Sequence, residues 1–260
     1  ETIMLKINDQ LGRPLTFSQV PQSIVSLVPS ITELLIDMGL TESIIGRTKF
    51  CIYPEKECNS IHRIGGTKNP HVEEIIRLKP AIVFANKEEN LKEHINLISE
   101  HTNCYVSNIQ TIEDALRMIQ DIGYIFDKKT QSEQLVAEID EARKQFQFKN
   151  EKVIYLIWNK PFMSIGHDTY ISSFLKAIGY ENILPKETLR YPTLSLEEIK
   201  QLAPDKLLLS DEPFPFKEKH KEELQLLLPG IKVELINGSY CSWYGSRILT
   251  ALKHFMSETA

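Results

Sequence analysis

Short runs of β-branched and aliphatic residues alternate along the chain with segments whose apolar positions recur at helical spacing. Ile24-Val25-Ser26-Leu27-Val28 is one such run, short and β-branched enough to read as a strand. Pro29 follows, and then Ser30-Ile31-Thr32-Glu33, whose S-x-x-E spacing predicts a capping box at a helix start. That helix carries Leu34, Leu35 and Met38 and stops near Gly39, before the next apolar stretch at Ile44-Ile45-Gly46. The opening therefore reads β-α-β.

Val72 to Lys79 has a helical pattern stopped by Pro80, and Ala81-Ile82-Val83-Phe84-Ala85 reads as a buried strand. The same phrase returns 124 positions later, where Leu196 to Ala203 leads to Pro204 and then to Lys206-Leu207-Leu208-Leu209. A second echo joins the strand at Ile24 to Val28 with one at Val153 to Ile157, each followed by a helix that ends at a glycine, Gly39 or Gly179. Two related α/β halves are expected.

No Gly or Pro occurs from Tyr124 through Lys160. Inside that stretch Thr130 and Glu133 form a second capping box by spacing, and Leu135, Ile139, Ala142 and Phe146 share one helical face. A helix over residues 130–148 would run about 28 Å at 1.5 Å per residue, and it is expected to connect the halves stiffly. The predicted fold is α/β, with two Rossmann-like lobes joined by a single long α-helix. The expected boundaries are 1–126 for the first lobe, 127–149 for the helix and 150–260 for the second lobe.

Composition narrows the function. The 260 residues carry 30 Lys and Arg against 35 Asp and Glu, a net charge of −5 with no basic stripe, so nucleic acid is not an expected partner. No segment approaches the ~18 unbroken apolar residues of a membrane span. G-x-S-x-G, the P-loop and G-x-G-x-x-G are all missing, and Gly65-Gly66 is too short to cradle a phosphate. No catalytic residues are assigned. The seven histidines are scattered, with His167 the one in a turn, and no metal ligands are assigned either. Cys51 and Cys58 could close a short disulfide loop in an oxidising compartment, although small buried hydrophobes are the preferred reading of the four cysteines.

In open α/β sheets ligands gather beyond the carboxyl ends of the strands, which makes the strand-end loops the candidate site. These loops hold Lys87 in the first half, Trp158 in the second, and Tyr240, Trp243, Tyr244 and Arg247 after the last strand. Phe50 and Tyr53 add an aromatic wall. Trp and Tyr could stack on a large planar ligand, while an arginine could pair with its carboxylate or phosphate.

Several segments, taken in order, resemble the helical-backbone substrate-binding proteins of ABC importers, and among them the cobalamin-binding and iron-chelate-binding branch. They are residues 24–35, Gly46 to Cys51, Ile64-Gly65-Gly66-Thr67, Glu73 through Phe84, and Ser242 to Arg247. The resemblance implies a non-enzymatic importer component that takes a metal-containing small molecule between its lobes, with a corrinoid favoured over a ferric siderophore, haem or bare divalent metal. It implies docking to a membrane permease through Glu73 and Glu197, the matching glutamates of the repeated phrase. It also implies a monomer, placed as a periplasmic or cell-surface lipoprotein whose signal segment is not in this sequence, with no cofactor of its own because the metal travels inside the cargo.

Overall fold

The computed structural model describes residues 5–259, and they form two compact units. The first takes the chain up to Ile109, Glu113–Glu138 and the short segment Tyr244–Arg247. The second takes Gln110–Ile112, Ile139–Trp243 and the chain from Ile248 onward. The C-terminal portion is thus not wholly part of the second unit, because four of its residues belong to the first. Among the described residues no helix is long and apolar enough to cross a membrane.

The first unit is built on a four-stranded parallel sheet in the order Ile44–Arg47, Ile24–Ser26, Ile82–Asn86, Asn103–Ser107. The central strands are buried on both faces, with Ile24, Val25, Val83 and Phe84 all at 0% exposure, as expected for unbroken apolar runs in a parallel sheet. The helix after the first of these strands spans Pro29–Asp37 with Gly39 at φ 76° behind it. The expected capping box is not formed there. Proline sits in the first turn, no side chain caps the end, and Glu33 is bonded elsewhere, as described below.

The second unit repeats the arrangement, with parallel strands ordered Tyr180–Asn182, Glu151–Leu156, Lys206–Ser210, Lys232–Ile236. The repeated phrase is built alike in both. Helices Val72–Leu78 and Leu196–Leu202 each end in a left-handed residue, Lys79 or Ala203, both at φ 47°. Proline follows, and strands Ile82–Asn86 and Lys206–Ser210 begin at matching positions. A left-handed cap closes the last helical turn, and the proline forbids its continuation.

The expected long helix is shorter than its sequence pattern, Lys129–Lys144, or about 24 Å. Thr130 lies inside it rather than capping it. Its last turns tighten, with Gln145 and Phe146 donating to carbonyls three residues back, and Asn150 at φ 53° turns the chain. Lys149 then bonds Gly179 beside the Glu151 strand. Ile139 and Ala142 are buried as the face predicts, whereas Phe146 falls beyond the helix.

Candidate functional site

In the first unit, two loops at the carboxyl end of the sheet and the Pro29–Asp37 helix meet the Tyr244–Arg247 segment. Asn86 organises one of them. Its Oδ1 accepts from the backbone of Glu88 and Glu89 at 2.8 and 3.1 Å, while Asn90 Oδ1 accepts from Asn86 N at 2.8 Å. The tight turn leaves Lys87 exposed and brings Glu89 Oε1 within 2.7 Å of the Tyr244 hydroxyl. Tyr244 is buried at 5% exposure, and that burial, with Glu89 beside it, pushes its phenol well above the usual value.

Arg247 was expected to meet an anionic group of a ligand. Instead its Nε donates to Glu33 Oε2 at 2.8 Å and its Nη2 to Glu33 Oε1 at 2.7 Å, in a two-pronged pair whose side chains are 11% and 12% exposed. The guanidinium also lies 4.3 Å from the centre of the Tyr53 ring, which holds that ring in place from behind. Tyr53 is 40% exposed and Phe50 and Ile52 are each 50% exposed, so the loop after the Ile44–Arg47 strand presents an aromatic and apolar wall. Lys49 lies over Phe50 at 5.1 Å.

Gly245 makes the Arg247 pair possible. It has φ +94°, and a Cβ there would lie 3.1 Å from the Ser30 carbonyl oxygen and 3.4 Å from Leu34 Cβ. Gly245→Ala should therefore cost about 1–3 kcal/mol of stability, read as a lower urea midpoint; an unchanged midpoint would refute the close approach.

Behind the wall, Cys51 Sγ accepts from the Thr32 hydroxyl at 3.1 Å and Cys58 Sγ donates to the Tyr53 carbonyl at 3.2 Å. All four cysteines are free and buried, and burial pushes the Cys58 thiol up to about 11. Arg47, at 2% exposure, donates from Nε to the Cys58 carbonyl at 2.8 Å.

In the second unit Trp158 is 42% exposed and rests edge-on against Phe214, with centroids 5.6 Å apart. Tyr240 is half-buried, its ring 4.8 Å from that of His254 and 6.4 Å from that of Phe255. Trp243 is 9% exposed, and its indole nitrogen donates to Glu212 Oε1 at 3.1 Å, an oxygen that also accepts from Ser242 at 2.5 Å. Trp243 is therefore a packed residue, and removing it would disturb the fold as well as any binding. Tyr191, 38% exposed with the Arg190 guanidinium 5.7 Å from its ring centre, lies in the loop before the Thr193–Leu194 strand, where the strand-end rule does not look. His167 Nε2 donates to the Leu184 carbonyl at 2.6 Å, which places its proton on that nitrogen. Among the described residues no group of three His, Cys, Asp or Glu could hold a metal ion.

Glu73 and Glu197 are both exposed on the first turns of the matched helices, and Glu197 accepts from Lys200 at 3.0 Å. Their neighbours differ. Glu198 and Ser195 form a capping box, whereas the matching Glu74 lies 2.7 Å from His62 Nε2 and 3.0 Å from His71 Nδ1. Hydrogen bonds from His62 and then His71 hold the Glu74 carboxyl below its ordinary range. A lowered carboxylate stabilises the fold above its unfolded value of about 4.3, and that contribution disappears as pH falls through the folded value. Melting temperature should accordingly fall more steeply below about pH 4.3 in the native chain than in Glu74→Gln; parallel curves would show that the clamp contributes nothing.

Residues 24–228 match the family described as periplasmic binding protein. The chain belongs to that family. It is a binding component, not an enzyme, and the resemblance read from residues 24–35 and the later segments holds at family level. The binding protein is 27% identical over 225 residues to an uncharacterized ABC transporter substrate-binding lipoprotein, YvrC, of Bacillus subtilis, covering 81% of this chain and 70% of that one. Among solved structures, the periplasmic vitamin B12 binding protein BtuF of Vibrio cholerae aligns with a TM-score of 0.77 at 19% identity, over 92% of this chain and 96% of the other. The periplasmic catecholate-siderophore binding protein VctP of Vibrio cholerae aligns at 0.81 and 16% identity, over 99% and 100%. The two-lobed α/β fold of the binding protein is thus shared by carriers of different cargo, and fold alone does not select among cargoes.

Proposed function

We propose that the chain is the substrate-binding component of an ABC importer, that its cargo is a metal-containing small molecule, a corrinoid before the others, and that it delivers this cargo to a membrane permease. The B12-binding and lipoprotein names among its relatives support the role. The observation that carries the cargo is the combination of open aromatic faces with a neutralised arginine. Phe50 and Tyr53 in the first unit, and Trp158 in the second, each offer ring surface at a strand-end loop, while Arg247, beside Tyr53, is already paired with Glu33. A corrinoid is large, ringed and amide-rich, with little net charge, and suits such a surface. A ferric siderophore or haem is the second reading, supported by the exposed Lys49 and Lys87. Bare-metal capture would need several side-chain ligands in one place.

On this reading the protein works as a monomer outside the membrane, periplasmic or lipid-tethered, and the metal remains within the cargo. Glu73 and Glu197, exposed at equivalent positions of the repeat, meet arginines of the permease. Reversing both charges to lysine should reduce cargo uptake into cells at least about tenfold, the equivalent of losing one charge-assisted contact, with cargo affinity in solution unchanged. Uptake that survives both reversals would refute the docking assignment.

A further inference from the structure

The two matched helices hold their first turns by different chemistry. In the second unit Ser195 and Glu198 close the turn, a hydroxyl and a carboxylate. At the matching positions of the first unit stand His71, at the N-cap, and Glu74. A second histidine, His62, reaches the same carboxylate from the loop after the Glu55–Ser60 helix. A carboxylate can only accept, so the rings donate to Glu74 from His62 Nε2 at 2.7 Å and from His71 Nδ1 at 3.0 Å. His62 Nδ1 and His71 Nε2 are then the nitrogens that take up a further proton. The two histidine side chains are 56% and 61% exposed, so they meet bulk solvent. Glu74, held below its ordinary range by these bonds, stays ionised while they titrate.

An ordinary histidine changes charge near pH 6.5. With both rings neutral, the side chains of Glu73, Glu74, His62 and His71 sum to −2, and with both protonated they sum to 0. The charged neighbours are Arg77 on the same helix, Arg63 and Lys68 on the loop between the two histidines, and Lys92, Glu93 and His94 on the Lys92–Ser99 helix packed against Val72–Leu78. Of these only His94 is of a type that changes charge between about pH 5.5 and 8. In the second unit Ser195 does not titrate, and its bonds hold the Glu198 carboxyl low, so the Glu197 face keeps its charge over the same range.

We propose that the His62–Glu74–His71 clamp makes the Glu73 face a pH-sensitive docking surface: protonated rings beside Glu73 oppose the permease arginine it meets, and the first unit loosens its hold as pH falls. The inference rests on the docking role proposed for Glu73 and Glu197. Two unit charges each about 10 Å from an ion change its affinity about fourfold in water at low salt, and screening shrinks the effect at high salt.

The test is binding of the labelled full chain, at low salt and from about pH 8 to about pH 5.5, to right-side-out membrane vesicles from source cells lacking this chain. Native protein, His62→Gln/His71→Gln and Glu73→Lys/Glu197→Lys are compared, with melts confirming that each folds. Native affinity should fall about fourfold across the range, while the histidine variant should bind throughout as native protein does at the alkaline end. A native slope that is flat, or one kept in full by the histidine variant, overturns the inference. Loss of binding in the charge-reversed variant together with a full slope in the histidine variant leaves the docking assignment standing and removes the pH response alone. A charge-reversed variant that binds like native protein, or native protein that binds no vesicle at any pH, overturns the docking assignment and the inference with it. Should the double histidine variant not fold, His62→Gln and His71→Gln decide singly. Each is expected to reduce the change to about twofold, and a full slope in both overturns the inference.

Discussion

Glu33→Ala should lower the free energy of unfolding by about 3–5 kcal/mol, the cost of leaving one member of a buried ion pair uncompensated. The stranded group is the Arg247 guanidinium, only 11% exposed, with its bidentate partner gone and a void on the Pro29–Asp37 helix. Glu33→Gln should cost less, because the amide oxygen can still accept from Arg247. Urea denaturation followed by circular dichroism reads both, and a Glu33→Ala midpoint equal to that of the native protein would refute the structural weight given to the pair. Since Arg247 supports the Tyr53 ring at 4.3 Å, the alanine variant should also lose near-ultraviolet tyrosine signal.

Trp158→Ala should weaken cargo binding by about thirtyfold, the effect of losing a central aromatic contact of about 2 kcal/mol. The ring is 42% exposed, so little of the core depends on it and stability should change little. Its support is local, with Phe214 against its edge and Met163 N donating to the Trp158 carbonyl at 3.2 Å. Native affinity in Trp158→Ala, measured by calorimetry, would remove that residue from the site.

The parts of the fold that were legible in sequence are those set by local rules. The helix, proline and strand of the repeated phrase lie within one residue of where apolar spacing and proline place them, at both Val72–Asn86 and Leu196–Ser210. The N-terminal hairpin, Leu5–Asn8 with Pro14–Phe17, was not legible. Its turn is organised by Asp9, which is fully buried and accepts from Arg13 and from the distant Val106 backbone, a pairing that no local pattern reveals. Glu33 was visible but misassigned. Its spacing from Ser30 is that of a cap, and its true partner lies 214 positions away.

The same limit governs the site. Trp158 and Trp243 both follow predicted strands and look equivalent in sequence. What separates them is Glu212, which takes the Trp243 indole into a part-buried network and, among the described residues, has no counterpart at Trp158. The return of Tyr244–Arg247 to the first unit left one local trace, Gly245, whose positive φ and missing side chain the close approach requires.

The most direct test of the central claim is a calorimetric titration of the full chain with cyanocobalamin, set beside haemin and a ferric tris-catechol complex under the same conditions. Saturable one-to-one binding of cyanocobalamin, tighter than either anionic probe, is the predicted result; tight binding of an anionic chelate with no heat from cyanocobalamin would contradict the corrinoid assignment.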